Sequence, residues 1–349
     1  MDQSTGEAAA AASPVVFRSC RFSVQLERVR VSSSGCRCGL AQTGRIGPQN
    51  LLVPVEKHIA RLSRLPSELT CCVLDARQLL GPPYRAFFAL APRATMRLNQ
   101  VVRPRRLDLC CCGLSKTGTH SMAGIFSRYR NAHHPDTEVR LPLASALLKD
   151  ELDEVEAMQL LRRRDSLLWL EIESSTLAGI LIKPLADACP TKRFVLTIRD
   201  VYSWCDSWLD HNINWPPAPG SPWAALDRLR LGADGSEPTR FDAPLTALGF
   251  PPLRCFFQLW ARHNSEVLDA LSPDRLLVVR THELVERLPD IAAWAGVPPE
   301  TLQADQAWLF RTVEPHRVLA TLDASYVRET ADQYCGILMA EHFADVTWH

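Results

Sequence analysis

The sequence predicts an α/β protein of three layers, in which helices cover both faces of a central, mainly parallel sheet. From Leu107 onward, short apolar runs alternate with amphipathic helical patterns, and this alternation is typical of a parallel sheet. The composition, with 46% hydrophobic and 22% charged residues, is that of a globular chain. A glycine loop directly after the first apolar run places an anion site at the carboxyl edge of the sheet.

Four apolar runs are the candidate strands. They are Leu107–Cys112, Leu167–Ile172, Phe194–Ile198 and Leu276–Val279. The helices predicted between and after them are Ser121–Tyr129, Glu151–Arg164, Tyr202–Asp210 and Cys255–Leu271. In the last of these helices, apolar side chains recur at helical spacing, which predicts one buried face.

Two segments depart from this alternation. Residues 1–95 carry weak helix and strand signals, so we predict a poorly defined N-terminal extension followed by one domain over residues 96–349. Residues 212–252 are interrupted by repeated proline and glycine. A loop of this length in a compact domain is usually a lid or a binding loop. We expect a lid-like loop on the substrate side, with a plain surface insertion as the alternative.

Charge and cysteine content exclude several classes of protein. Lys+Arg and Asp+Glu each number 39, so no overall basic field points to nucleic acid as a partner. No apolar stretch approaches the roughly 18–20 residues that a membrane span needs. The first residues lack the positive start of a secretory signal, and we therefore expect a cytoplasmic protein. The 12 cysteines lack zinc-ligand spacing, which favours buried free thiols and no metal site.

The segment Gly113–Ser121, Gly-Leu-Ser-Lys-Thr-Gly-Thr-His-Ser, is the strongest functional motif. A glycine loop between a strand and a helix directs backbone N–H groups at an anion, and its hydroxyls add donors. Lys116, one of five lysines in the chain, supplies a positive charge. The candidate anion-binding residues of the loop are Ser115, Lys116, Thr117, Gly118, Thr119, His120 and Ser121. In a Walker A loop the lysine follows the second glycine, so the order found here argues against an ATP-dependent kinase.

A second motif lies at the end of the third candidate strand. Arg199 ends the strand, and Ser207 follows eight positions later on the next predicted helix. A guanidinium at a strand end can bind phosphate oxygens with two hydrogen bonds, and a serine hydroxyl adds a third donor. The two residues are therefore candidates for a second anion site beside the glycine loop.

Together the two motifs resemble those of sulfotransferases that use 3′-phosphoadenosine 5′-phosphosulfate (PAPS). The G-x-x-K-T-G-T stretch is similar to the family's 5′-phosphosulfate loop, and Arg199 and Ser207 match the spacing of its 3′-phosphate residues. The family's Arg-Asp-Pro sequence has Val201 in place of proline here. The resemblance covers residues 107–300 and implies a fold of the P-loop nucleotide-binding type.

The resemblance also implies an activity. A sulfuryl group would pass in line from PAPS to a hydroxyl or amine of a small-molecule or carbohydrate acceptor, without a metal. Lys116 would neutralise the charge that develops on the leaving phosphate oxygen, so that positioning and electrostatics account for catalysis. Nucleic acid is not an expected partner.

The identity of the general base stays open between two glutamates at a strand end and a pair of histidines. Glu171 and Glu173 stand where cytosolic sulfotransferases carry a catalytic histidine, and Glu173 is closer to the carboxyl end of the strand. His133 and His134 follow the first helix, and histidine titrates near neutrality. We rank Glu173 first and take His134 as its rival, with Glu171 and His133 as further candidates.

Two other functions remain as alternatives. A P-loop nucleotide or metabolite kinase would turn over ATP with magnesium and would not bind PAPS. A non-catalytic module would bind the bisphosphate nucleotide and transfer nothing.

Overall fold

One parallel sheet forms the centre of the protein. The computed structural model describes residues 103–308 and 315–348, so the N-terminal extension predicted for residues 1–95 lies outside the described residues. The strands are β1 Leu109–Cys111, β2 Asn131–His133, β3 Ile172–Ser174, β4 Arg193–Ile198 and β5 Leu276–Arg280. Their order in the sheet is β2-β3-β1-β4-β5, and every neighbouring pair is parallel. The α/β class predicted from the sequence is confirmed.

Helices connect the strands and continue after the last one. They are α1 Thr119–Ile125, α2 Thr137–Leu148, α3 Glu154–Leu168, α4 Thr176–Ile180, α5 Ile182–Ala188, α6 Val201–Asn214, α7 Pro222–Leu231, α8 Ala243–Ala247, α9 Leu253–Ala270, α10 Leu288–Ala295 and α11 Ala324–His342. Short 3₁₀ helices span Arg240–Asp242, Thr281–Glu283, Pro299–Thr301, Ala304–Trp308 and Val318–Thr321. Within the described ranges, no helix is both long and apolar enough to cross a membrane.

Alternate residues of β1 face opposite layers of helices, as the two-residue period of a strand requires. Cys110 belongs to the larger apolar cluster, to which α2, α3, α5, α6, α9 and α11 contribute. Leu109 and Cys111 belong to the smaller cluster, which α1 and α10 cover. Helices therefore pack on both faces of the sheet, and the predicted three-layer architecture is confirmed.

The strand predicted over Leu167–Ile172 begins later than expected. The preceding helix α3 continues to Leu168, and Leu167 lies on its buried face. Trp169 ends the helix in a left-handed conformation with φ of 49°. The strand β3 then starts at Ile172. A short apolar run is compatible with both the end of a buried helix and a buried strand, so the sequence pattern could not place the start of β3.

Residues 212–252 do not form the single loop that the sequence predicts. Helices α7 and α8 lie within this range, and Ser221 caps the first of them by accepting the N–H of Ala224. Asp242 is buried and accepts hydrogen bonds from the N–H of Leu253 and the hydroxyl of Tyr326. The segment is thus helical in part and attached to the protein body, while its role as a lid remains a prediction.

Candidate functional site

A cleft of about 550 Å³ opens beside the carboxyl ends of β1 and β4. The glycine loop, the first turns of α6 and the 3₁₀ helix after β5 supply its walls. The sequence-predicted residues that line it are Lys116, Gly118, Thr119, His120, Ser121, Arg199 and Ser207. The structure therefore brings the glycine-loop motif and the arginine–serine motif together in one cavity.

Two glycines allow the loop to pass close to neighbouring chain segments. A Cβ atom on Gly113 would lie 2.2 Å from Thr197 Oγ1 and 2.5 Å from the main-chain oxygen of Thr197. Gly118 has a φ of 98°, which favours glycine, and a Cβ there would lie 2.8 Å from Leu284 Cδ1. The loop consequently packs tightly between the ends of β4 and β5.

The hydroxyl of Thr117 holds the loop in shape. Its side chain is buried and donates to the main-chain oxygen of Leu114 at 2.7 Å. The hydroxyl of Thr281 donates to the main-chain oxygen of Thr117 at 2.7 Å. Ser115 is held through its main-chain oxygen, which accepts the indole N–H of Trp204 at 2.9 Å. Thr117 and Ser115 are not among the residues that line the cleft, so a direct contact of either residue with the anion stays a prediction.

Lys116 lies in the cleft with a left-handed backbone, at φ of 71°. A non-glycine residue in this region is strained, and such strain is concentrated at functional sites. Burial lowers the pKa of Lys116 and the nearby Arg199 lowers it further, whereas Asp210 acts in the opposite direction. Lys116 and Arg199 therefore form a pair of neighbouring, partly desolvated cations.

Arg199 is positioned by contacts on either side of its chain. Its Nε donates to Ser203 Oγ at 2.8 Å, and its main-chain oxygen accepts the indole N–H of Trp260 at 2.9 Å. Asp200 caps α6 by accepting the N–H of Ser203 at 2.9 Å, and it also accepts the Ser203 hydroxyl. Arg199 is half-buried, and burial lowers its pKa, whereas Asp200, Asp206 and Asp210 act in the opposite direction.

Two carboxylates of α6 connect the cleft to a distant part of the chain. Asp206 accepts the N–H of Leu319 at 2.9 Å, and Asp210 accepts the N–H of His316 at 2.8 Å. Both carboxylates line the cleft. Burial raises the pKa of Asp206. The sequence analysis missed these residues, because their partners lie about a hundred positions further along the chain.

Three histidines lie next to one another at the carboxyl ends of β2 and β1. The rings of His120 and His133 have centroids 3.4 Å apart, and those of His133 and His134 are 4.2 Å apart. His133 Nε2 lies 3.2 Å from Thr119 Oγ1, and His134 Nδ1 lies 2.8 Å from Ser175 Oγ. Burial lowers the pKa of His133 to about 2 and that of His134 to about 4. Of the three rings, only His120 lines the described cleft.

The two candidate glutamates are buried, paired with arginines, and not among the residues that line the cleft. Glu173 Oε2 lies 2.7 Å from Arg164 Nη1 and 3.6 Å from Arg140 Nη1. Burial alone would raise the pKa of Glu173, but these two arginines bring it well below its ordinary value. Glu171 likewise pairs with Arg106 at 2.9 Å, and its pKa falls to about 2 although burial opposes the fall. These ion pairs argue against Glu173 or Glu171 as the general base, and the identity of the base stays a prediction.

The sequence analysis also missed Ser203 and Thr281 as cleft residues. Ser203 precedes Ser207 by one helical turn, so the face of α6 that carries Ser207 could have indicated it. Thr281 directly follows β5, and the carboxyl end of a neighbouring parallel strand is where such a residue is expected.

Comparison with known proteins gives a family and distant structural relatives. The sequence profile described as "Sulfotransferase domain" matches residues 108–291. The crystal structure of a sulfotransferase from Alicyclobacillus acidocaldarius is 14% identical, with 66% of this chain and 95% of that chain covered and a TM-score of 0.38. The sulfotransferase STF9 from Mycobacterium avium is also 14% identical, with 83% and 97% covered and a TM-score of 0.41.

No curated protein matches the chain. The matched domain occupies more than half of the 349 residues and contains both cleft motifs. The chain belongs to the sulfotransferase family.

Proposed function

We propose that the protein transfers a sulfuryl group from PAPS to a hydroxyl or amine of a small-molecule or carbohydrate acceptor, in line and without a metal. The observation that carries this proposal is the meeting of Lys116, Arg199 and Ser207 in one cleft. These three residues come from two motifs far apart in sequence, and both motifs resemble donor-binding motifs of the family. Family membership supports the class of reaction, and the cleft supports the choice of donor.

The side chains of the cleft fit the two anionic ends of this donor. Within the described residues, the Arg199 guanidinium donates one hydrogen bond, from Nε to Ser203, which leaves its Nη groups for a phosphate. Ser207 lines the same cleft and would add a hydroxyl donor to the 3′-phosphate. Lys116 and the loop backbone would hold the 5′-phosphosulfate.

The mechanism rests on charge placement. Negative charge develops on the 5′-phosphate oxygen as its bond to sulfur breaks, and Lys116 would stabilise that charge. Because Lys116 is partly removed from water, its interaction with the leaving oxygen is stronger than it would be in bulk solvent. The remaining work of the chain is to hold donor and acceptor in line.

The donor assignment is tested by calorimetric titration with adenosine 3′,5′-bisphosphate and with ATP. We expect selective binding of the bisphosphate, and we expect Arg199→Ala to weaken it by about 30- to 100-fold, because a desolvated phosphate loses its charged partner. Arg193→Ala is the matched control, since Arg193 begins the same strand at its opposite end and contacts the main-chain oxygen of Trp294. A preference for ATP would instead favour the kinase alternative.

A second expected result concerns the carboxylate beside Ser207. Asp206→Asn removes a negative charge from the cleft, while the amide oxygen can still accept the N–H of Leu319. We expect the bisphosphate to bind about fivefold more tightly, which corresponds to roughly 1 kcal/mol of relieved repulsion. The measurement is the same titration, with Asp274→Asn, before the amino end of β5, as control. Equal or weaker binding by a folded Asp206→Asn protein would place the 3′-phosphate elsewhere.

A further inference from the structure

Two histidines line the cleft in the part of the chain that the structure describes, His120 and His282. His120 lies in the first turn of α1, directly after the loop that carries Lys116, and its side chain is exposed to the cleft. His282 follows β5, which is separated from β1 by β4, and its Nε2 lies 3.7 Å from Glu283 Oε1. Of the two, His120 belongs to the same loop–helix segment as Lys116, and Lys116 affects its pKa.

The ring of His120 is held in place by its neighbours. It packs against the ring of His133, with centroids 3.4 Å apart and an angle of 33° between the ring planes. His133 in turn contacts Thr119 Oγ1 through Nε2 and meets the edge of His134. A base must be positioned before its pKa matters, and this packing restricts the plane of the imidazole.

The charges around His120 keep it neutral. Burial lowers the pKa of His120, and Lys116 and His211 lower it further. The titratable groups that face it are Lys116 of the glycine loop, His211 of α6, His133 of β2, and His134 directly after β2. Each of these groups is neutral or positive, so the imidazole of His120 is in its neutral form at neutral pH, the form that acts as a base.

We propose that His120 is the general base that takes the proton of the acceptor, a role that rests on the proposed donor chemistry. The acceptor oxygen forms a bond to sulfur, and the bond from sulfur to the 5′-phosphate oxygen breaks. The electron pair of the broken bond stays on the 5′-phosphate oxygen, and the bisphosphate leaves with that oxygen beside Lys116. The acceptor proton passes to the His120 imidazole and then to solvent, to which the side chain is exposed.

The other candidates are placed less well for this role. Glu171 and Glu173 are committed to arginines outside the cleft. His133 and His134 hydrogen-bond to hydroxyls of Thr119 and Ser175 and do not line the cleft. Their contacts suit them to orient His120, so we assign them as positioning residues.

The test uses the full chain and sulfur-labelled PAPS, with water and then a series of phenols of rising pKa as acceptors. His120→Asn should lower the rate of donor breakdown on the order of 10²-fold. The rate should fall by a much larger factor than the affinity of this variant for adenosine 3′,5′-bisphosphate. The loss should grow with the pKa of the phenol, because a more basic oxygen depends more on removal of its proton. Imidazole in the buffer should restore part of the rate to His120→Ala.

The pH profile gives a readout that a purely structural role would not move. At low donor concentration, the wild-type rate should rise with pH through a midpoint below the ordinary histidine value of 6.5, and His120→Asn should lack this rise. His342→Asn, at the end of α11, is the matched control and should behave as wild type.

The outcomes separate this inference from the proposed function. If the wild type does not bind the bisphosphate, the donor assignment itself fails. If it binds and transfers but His120→Asn is equally fast, or if His134→Asn is slower than His120→Asn, then His120 is not the base. A wild type that binds the bisphosphate yet never breaks PAPS above the buffer rate also overturns the base, because a neutral imidazole beside the sulfuryl group must at least assist attack by water.

Discussion

Lys116→Met is expected to lower the rate of sulfuryl transfer by about 10²–10³-fold. The positive charge stabilises the leaving oxygen only as the sulfur–oxygen bond breaks, so the rate should fall much more than the affinity for the bisphosphate. Methionine keeps the length of the side chain. It also meets the same backbone cost as lysine at a φ of 71°, so the comparison isolates the charge.

The measurement is single-turnover breakdown of labelled PAPS together with calorimetric binding of the bisphosphate. Lys149→Met is the matched control, because Lys149 is an exposed lysine that pairs with Glu151 at 3.9 Å. If Lys116→Met loses affinity and rate by the same factor, the lysine acts on bound donor and transition state alike. The assignment of Lys116 to the leaving oxygen would then be wrong.

The sequence alone predicts that the glycine-loop motif and Arg199 meet at one edge of the sheet, because the signals of these two motifs are local. The backbone path of the loop requires glycine at positions 113 and 118, and both glycines can be identified in the sequence motif. Arg199 directly follows β4, and the carboxyl ends of adjacent parallel strands meet at one edge of a sheet. The meeting of Lys116 and Arg199 in one cleft therefore follows from the α/β class.

The histidine cluster and the carboxylates of α6 could not be predicted in the same way, because their positions depend on tertiary contacts. The strand β2, Asn131–His133, has no apolar run and exists through its pairing with β3. This pairing brings His133 beside His120, which lies thirteen positions earlier in the chain. The carboxylates of α6 likewise have partners about a hundred positions away, and no local sequence pattern predicts these contacts.

Neighbouring residues of a strand face opposite sides of the sheet, and this decides where the side chain of Glu173 lies. In β3, Ser174 faces α1 and donates to the main-chain oxygen of Thr119, whereas Glu173 faces the opposite layer. There it meets Arg164, which also forms two hydrogen bonds of 2.8 Å with Asp136. The sequence placed Glu173 correctly near the end of a strand but could not say which face of the sheet it occupies.

Glu173→Gln is expected to lower the free energy of unfolding by about 3–5 kcal/mol, because it leaves buried arginine charge without its partner. Arg140 is the group most affected. Within the described residues its three guanidinium nitrogens have no hydrogen-bond partner, and the ion pair of 3.6 Å with Glu173 supplies its nearest counter-charge. Urea unfolding followed by tryptophan fluorescence measures the change, and Glu151→Gln, at an exposed ion pair, should change little.

The pH dependence of this loss identifies its cause. In the folded protein the pKa of Glu173 lies well below its ordinary value of 4.5, so its contribution is complete above that pH and is lost as the pH falls below it. The difference between wild type and Glu173→Gln should therefore be largest near neutrality and shrink in acid. If Glu173 were the base, the glutamine variant would lose transfer and keep its stability. A loss of stability that is largest at neutral pH and shrinks in acid would instead assign Glu173 a structural role, as the partner of the buried Arg140 and Arg164.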